Sequence, residues 1–374
     1  MKFLAFIAAA LFSVLTQAQV LPQAPTIAAK SWLLMDYATG QALASYEPDA
    51  RVEPASLTKL MTAYLTMAAL KEGRIKLDQT VPVSERAKAA EGSRMFIEPR
   101  RPVTVDELMR GMIVQSGNDA CIALAELIAG SEEAFAVMMN REAQRLGLKN
   151  THFVNATGLP DPQHYSTARD LGAMAAAVIH DFPEHYPLYS LRGYTYNRIS
   201  QENRNRLLWR DPTVDGMKTG HTANAGFCLI ASAKRGPRRL LSVVLGASSD
   251  DMRMQESQKL LNFGFQFFDS VRLYTKDQAV SELRVWKGGQ NTVKAGFTED
   301  FTLSLPKGMA DKVQANLTSQ QPLMAPVQRG QRVATLKLSL DGKPMGEYPV
   351  VALDTVPLAG LFGRMWDAIR LWFE

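Results

Sequence analysis

Three short motifs fall in one order along the chain: Ser56-Leu57-Thr58-Lys59, then Ser116-Gly117-Asn118, then Lys218-Thr219-Gly220. Together they supply the parts of one chemistry, acyl transfer to serine. A serine hydroxyl is a poor nucleophile at neutral pH until a base takes its proton, and Lys59 follows Ser56 by three residues, on the same face of a helix. Ser116 offers a hydroxyl that can relay a proton, Asn118 an amide that can hold a substrate amide, and Lys218 a cation. Each motif alone is weak. A second Ser-x-x-Lys stands at Ser304-Leu305-Pro306-Lys307, where proline argues against a helix interior, and it reads as accidental. The weight lies in the order of the three motifs and in their surroundings.

Those surroundings imply the elements that position the motifs. After Pro54-Ala55, strong helix formers with apolar residues at Leu57, Leu60, Met61, Tyr64, Leu65 and Ala68 predict a buried helix opened by Ser56 and ended at Gly73. The N–H of Ser56 is then one of the unpaired donors of a helix N-terminus, available to an oxyanion. Thr104-Val105-Asp106-Glu107 reads as a capping box for a helix through Gln115, and Asp119 as the cap of a helix from Ala120 to Ala129. Ser116-Gly117-Asn118 is the loop between them. Asp215-Gly216 reads as a turn ahead of an extended Met217 to His221, where Lys218 and Gly220 point one way, Thr219 the other, and the N–H near His221 can face a ligand.

The set resembles the low-molecular-mass penicillin-binding proteins, D-alanyl-D-alanine carboxypeptidases that carry a C-terminal membrane anchor. Beyond the three motifs, Asp119-Ala120-Cys121, Gly147-Leu148-Lys149-Asn150-Thr151-His152-Phe153, Tyr165-Ser166-Thr167-Ala168-Arg169-Asp170 and Asp215-Gly216-Met217 with His221-Thr222 also read like that family. The resemblance implies that Ser56 attacks the carbonyl between two D-alanines of a peptidoglycan stem pentapeptide, with Lys59 as base. It implies that Ser116 passes a proton to the leaving amine, that Asn118 holds the acyl side's amide, and that Lys218 keeps the site electropositive and lowers the Lys59 pKa. Thr219 and Arg253 are the candidates for the terminal carboxylate, with Gly220 and His221 on the same segment. β-Lactams are implied as covalent inhibitors, and no cofactor is. A β-lactamase, a crosslink-cutting endopeptidase and a non-turnover sensor share the motifs. The glutamate that the class A β-lactamases use between the second and third motifs is not recognisable.

Composition agrees. The chain has 374 residues, too many for one average domain, and 46% apolar content supports a sizeable core. Lys2, an apolar run from Phe3 to Leu15 and small residues at Thr16 and Ala18 read as an export signal over 1–18. Net charge is +5, or +4 without Lys2, which suits peptidoglycan and anionic lipid headgroups. Nucleic acid does not follow, because Arg204/Arg206 and Arg235/Arg238/Arg239 read as solvated loop and turn charges. Cys121 and Cys228 read as buried free thiols, and no Cys/His cluster suggests a metal.

The fold class expected is α+β. Hairpins at Ser31–Met35 with Ala42–Tyr46 and at Phe227–Ala233 with Leu240–Leu245 flank a helical middle, which implies an antiparallel sheet covered by helices. The resemblance makes this a penicillin-binding/β-lactamase-like domain over 19–273. A last helix is read at Gln255 to Phe268. Short alternating runs at Ser281–Trp286, Phe301–Leu305, Val333–Leu340 and Glu347–Val351 predict a small all-β domain over 274–358. In the tail, 359–374, Leu361, Phe362, Met365, Trp366, Ile369, Trp372 and Phe373 form one helical stripe opposite Arg364, Asp367, Arg370 and Glu374. That amphipathic helix is too short to span a bilayer and reads as an in-plane anchor, placing the protein in the periplasm on the outer face of the inner membrane. No protein partner follows from the sequence.

Overall fold

In the computed structural model, residues 22–319 and 321–372 are described. The export signal read at 1–18 lies outside them, as do Phe373 and Glu374 of the tail stripe.

Alternation along the strands of the first domain builds two cores, one on each face of a sheet. Strands β1 (Ser31–Asp36), β2 (Ala42–Tyr46), β3 (Val214–Thr222), β4 (Gly226–Arg235) and β5 (Arg238–Ala247) form an antiparallel sheet in the order β2-β1-β5-β4-β3. Leu33, Cys228, Ile230, Leu241 and Val243 point into a helical layer, while Trp32, Leu34, Leu229, Leu240 and Val244 point to the opposite face. The helical layer holds α1 (Lys59–Lys71), α2 (Val105–Val114), α3 (Asn118–Ala129), α4 (Glu132–Arg145) and α5 (Ala168–Asp181). Buried nearly all round, α1 is the central helix of that layer. On the other face lies α6 (Asp250–Phe267). The sheet and its two helical faces match the α+β expectation.

Four local readings need correction. The capping box of α2 forms as expected, with Thr104 Oγ1 accepting from the Glu107 N–H at 3.3 Å and the Glu107 carboxylate accepting from the Thr104 N–H at 2.8 Å. Asp119, however, is not a cap. Helix α3 begins at Asn118, and the Asp119 carboxylate instead accepts from the N–H groups of Met95, Phe96 and Ile97. Helix α6 begins five residues earlier than read, because Ser249 caps it by accepting from the Met252 N–H at 3.1 Å and Asp250 and Asp251 complement its N-terminus. Asp215-Gly216 is not a free turn but lies inside β3, at a bulge.

The arginines of the β4–β5 hairpin are likewise not solvated turn charges. Arg239 makes a two-pronged pair with Asp215 at 2.7 Å, Arg235 reaches Asp211 at 3.1 Å, and Arg238 stacks over Phe265 at 5.7 Å. Asp215 thereby ties the start of β3 to β5, which steadies the strand that carries Lys218.

Strand β6 (Phe268–Tyr274) follows α6 directly and pairs with β9 (Phe301–Pro306), so the chain changes partners at Phe268. The other strands of the small domain are β7 (Ala279–Trp286), β8 (Thr292–Gly296), β10 (Val313–Ser319), β11 (Leu323–Met324), β12 (Arg332–Leu340) and β13 (Lys343–Ala352). They order as β10-β12-β13-β8-β7-β11 around their own apolar core of Leu283, Val293, Leu303, Leu336 and Val350. The tail helix, α7, covers Leu361–Arg370.

Candidate active site

The three motifs converge where α1, the α2–α3 loop and the edge strand β3 meet. Ser56 lies in a 3-10 turn, Ala55–Thr58, that leads into α1 at Lys59. This turn is packed tightly from two sides. A Cβ on Gly220 would sit 3.1 Å from the Pro54 carbonyl, and one on Gly158, at φ +82, would collide with the Ala55 carbonyl. Glycine in the third motif is thus explained by close approach: it lets β3 run against the turn that presents Ser56.

Lys59 is fully buried and its Nζ has three neighbours: Ser56 Oγ at 3.0 Å, Asn118 Oδ1 at 2.6 Å and the Thr157 carbonyl at 2.6 Å. The last two can only accept. A neutral amine, with two hydrogens and one lone pair, gives both hydrogens to them and has its lone pair left for the Ser56 hydroxyl. Asn118 is therefore first of all a holder of Lys59, and its Nδ2 donates to the Glu91 carbonyl at 2.6 Å. Ser116, in the left-handed region at φ +63, turns its hydroxyl to accept from Lys218 Nζ at 2.9 Å. Lys218 also donates to the Thr219 carbonyl at 2.9 Å.

Electrostatics revise the part expected of Lys218. Burial is what lowers the Lys59 pKa most, to about 8, and the nearby charge of Arg204 acts in the same direction. Lys218 is pushed well below its ordinary value, first by burial and then by the charge of Lys59. The repulsion between the two lysines thus falls on Lys218. The permanent cations of the site are its guanidiniums.

Arg253 is buried on the first turn of α6, where it is not solvated. It pairs with Asp250 and donates to the carbonyls of Gly220 at 3.0 Å and Cys228 at 3.4 Å. Thr219, Gly220, His221 and Arg253 line one pocket of about 710 Å³ with Ser56 and Ser116. The His221 ring lies against Phe227, 4.1 Å between centroids. All nine residues expected at the site are therefore brought together, seven lining the pocket or its floor and Lys59 and Asn118 directly beneath Ser56. Cys121 and Cys228 are buried and unbridged, as expected, and burial pushes their thiols up to about 12 and about 11.

Two participants escaped the sequence reading. Thr157 acts through a backbone carbonyl, which has no residue-type signature. The only local hint is Asn155, whose Oδ1 accepts from the N–H groups of Thr157 and Gly158 and shapes the turn. Arg204 was read as a solvated loop charge. It is exposed, yet it lines the same pocket.

A serine held by a buried lysine, beside a second Ser–Lys pair and an edge strand, defines a serine acyl-transfer enzyme on a sheet covered by helices on both faces. More particularly, the chain belongs to the D-alanyl-D-alanine carboxypeptidase family, peptidase S11, whose model matches residues 18–249, and a model of the penicillin-binding protein 5 C-terminal domain matches 268–358. D-alanyl-D-alanine carboxypeptidase DacC of Escherichia coli is 45% identical over 360 residues, 94% of this chain and 90% of that protein. The crystal structure of penicillin-binding protein 5 from Haemophilus influenzae superposes with a TM-score of 0.84 at 42% identity, covering 90% of this chain and 99% of that one. Penicillin-binding protein D2 from Listeria monocytogenes, in its ampicillin-bound form, is 30% identical with a TM-score of 0.60, covering 65% of this chain and all of its own.

Proposed function

We propose that the enzyme removes the terminal D-alanine from peptidoglycan stem pentapeptides through an acyl-enzyme on Ser56. The observation that carries this is the three-way seating of Lys59 Nζ on Ser56, Asn118 and Thr157. Neutral Lys59 takes the Ser56 proton as Oγ attacks the carbonyl between the two D-alanines. The oxyanion is met by the backbone N–H groups of Ser56 and His221. A free edge supports the second donor, because β3 is the outermost strand of its sheet. Ser116, joined to Lys218, passes a proton to the departing amine, D-alanine leaves, and water then releases the acyl group. Asn118 orients Lys59 and keeps one N–H for the acyl side's amide. Thr219 and Arg253 shape the end of the pocket that receives the leaving residue. A β-lactam offers the same carbonyl in a strained ring and acylates Ser56 in the same way. Steady release of D-alanine from a soluble pentapeptide tests the reading. A protein that binds penicillin yet releases no D-alanine is a sensor instead.

The same reading extends to location. No helix among the described residues is long and apolar enough to cross a membrane. Helix α7 turns its polar side inward, with the Asp367 carboxylate accepting from the Lys287 N–H at 2.6 Å, and leaves Phe362 at 86% and Trp372 at 90% exposure. A tail docked by its apolar face would do the reverse. This supports an in-plane anchor holding the exported enzyme on the periplasmic face of the inner membrane. Deleting residues 359–374 then moves the protein from the membrane fraction to the soluble one with penicillin binding intact. A truncated protein that still pellets with membranes contradicts the anchor.

A further inference from the structure

A carboxypeptidase must recognise a free carboxylate at the end of its substrate. Resting on the carboxypeptidase reading above, the question is which cation of the pocket does so. Lys59 serves as the base and cannot also stay charged. Lys218 is committed to Ser116 and to the Thr219 carbonyl. Arg253 is already paired with Asp250 and spends further donors on the carbonyls of Gly220 and Cys228. Its charge is largely answered before a substrate arrives.

Arg204 differs from all three. It lines the pocket with Ser56, Ser116 and Thr219, and its guanidinium has no hydrogen-bond or ion-pair partner among the described residues. Arg206, two residues on, is paired with Asp250 and Asp251. The backbone beneath Arg204 is nonetheless fixed on both sides. Buried Asn203 donates to the Leu191 carbonyl at 2.9 Å and accepts from the Asn205 N–H at 2.9 Å, while buried Asn205 donates to the Gly216 carbonyl of β3 at 2.9 Å. A pinned base under an unpaired guanidinium is the arrangement of a preorganised anion receptor.

We propose that Arg204 is the specificity-determining residue that captures the C-terminal carboxylate of the leaving D-alanine, and that Arg253 acts as a positioning residue that locks Gly220 and Cys228 in place. The tethered Asn205 sets Arg204 against β3, so the carboxylate comes to rest between Arg204 and the Thr219 hydroxyl, beyond the scissile bond.

The test compares two depsipeptides ending in D-alanyl-D-lactate, one with a free terminal carboxylate and one as its methyl ester, by kcat/KM for wild type, Arg204→Ala, Arg204→Lys, Arg253→Ala and Arg210→Ala. A charge-assisted contact of this kind predicts that Arg204→Ala lowers the acid-over-ester preference by roughly 10- to 150-fold, mainly through KM, with Arg204→Lys keeping part of it. Arg210→Ala, on the same rim, leaves the preference unchanged. Equal losses on acid and ester in Arg204→Ala, or a preference abolished by Arg253→Ala and retained by Arg204→Ala, overturns the proposal. Failure of the wild type to turn over the free acid overturns the carboxypeptidase reading itself.

Discussion

The chain contains Ser-x-x-Lys twice, and the two copies meet opposite fates. At Ser56 the motif bridges a 3-10 turn and a helix, so Lys59 folds back to within 3.0 Å of the serine oxygen. At Ser304 it runs along strand β9 and off its end. Successive side chains there alternate faces: Ser304 is buried with its hydroxyl lacking a hydrogen-bond partner among the described residues, and Lys307 lies outside, 3.9 Å from Asp269. Residue types and spacing are the same in both. What separates a nucleophile from a spectator is the backbone that carries them and the acceptors waiting for the lysine, Asn118 and Thr157 in one case and a surface carboxylate in the other.

The largest effect that can break this contrast is loss of the base. Lys59→Ala should slow acylation by peptide and by penicillin alike, by roughly 10²–10⁴-fold, measured as the second-order rate of acyl-enzyme formation. Lys307→Ala should leave that rate unchanged. Normal acylation without Lys59 contradicts the mechanism.

A smaller effect sharpens the same point. Lys59 must be neutral to accept a proton, and burial lowers its pKa to about 8. Acylation should therefore rise about tenfold per pH unit below 8 and level off above it. The sign for stability agrees. Between about 8 and its ordinary value of 10.5 the unfolded lysine binds more protons than the folded one, so this group makes the fold more stable as pH rises through that window and less stable as pH falls through 8. A rate already flat from pH 6 upward would mean that Lys59 is neutral there for another reason, or is not the base.

The smallest effect concerns the spectator. Ser304→Ala removes a buried hydroxyl that lacks a partner, so stability by urea unfolding should hold within about 1 kcal/mol or rise, with no change in D-alanine release. A clear loss of activity there would give the second motif a role that its strand denies it.

The contrast also explains what could be read from residues alone. The three catalytic motifs were legible because each needs particular functional groups at fixed spacing, and the proline in the second Ser-x-x-Lys was enough to set it aside. The hairpins of the first sheet were legible from period-two alternation. The edge strand Val313–Ser319 was not: as Val-Gln-Ala-Asn-Leu-Thr-Ser, largely out of contact with the core, it lacks an apolar face to betray it. The start of α6 was missed because its signal lay in the cap, Ser249 with Asp250 and Asp251, ahead of the apolar pattern. The Asp215–Arg239 pair, the Thr157 carbonyl and the free guanidinium of Arg204 depend on which distant segments meet, which only the tertiary structure reveals.

The central claim is that one serine of the two takes the acyl group because of the lysine folded onto it. Mass spectrometry of a proteolytic digest after labelling with penicillin tests it most directly. The structure predicts a single adduct, on the peptide holding Ser56, that disappears in Ser56→Ala and persists in Ser304→Ala. An adduct on a peptide lacking Ser56, or one that survives Ser56→Ala, contradicts the account.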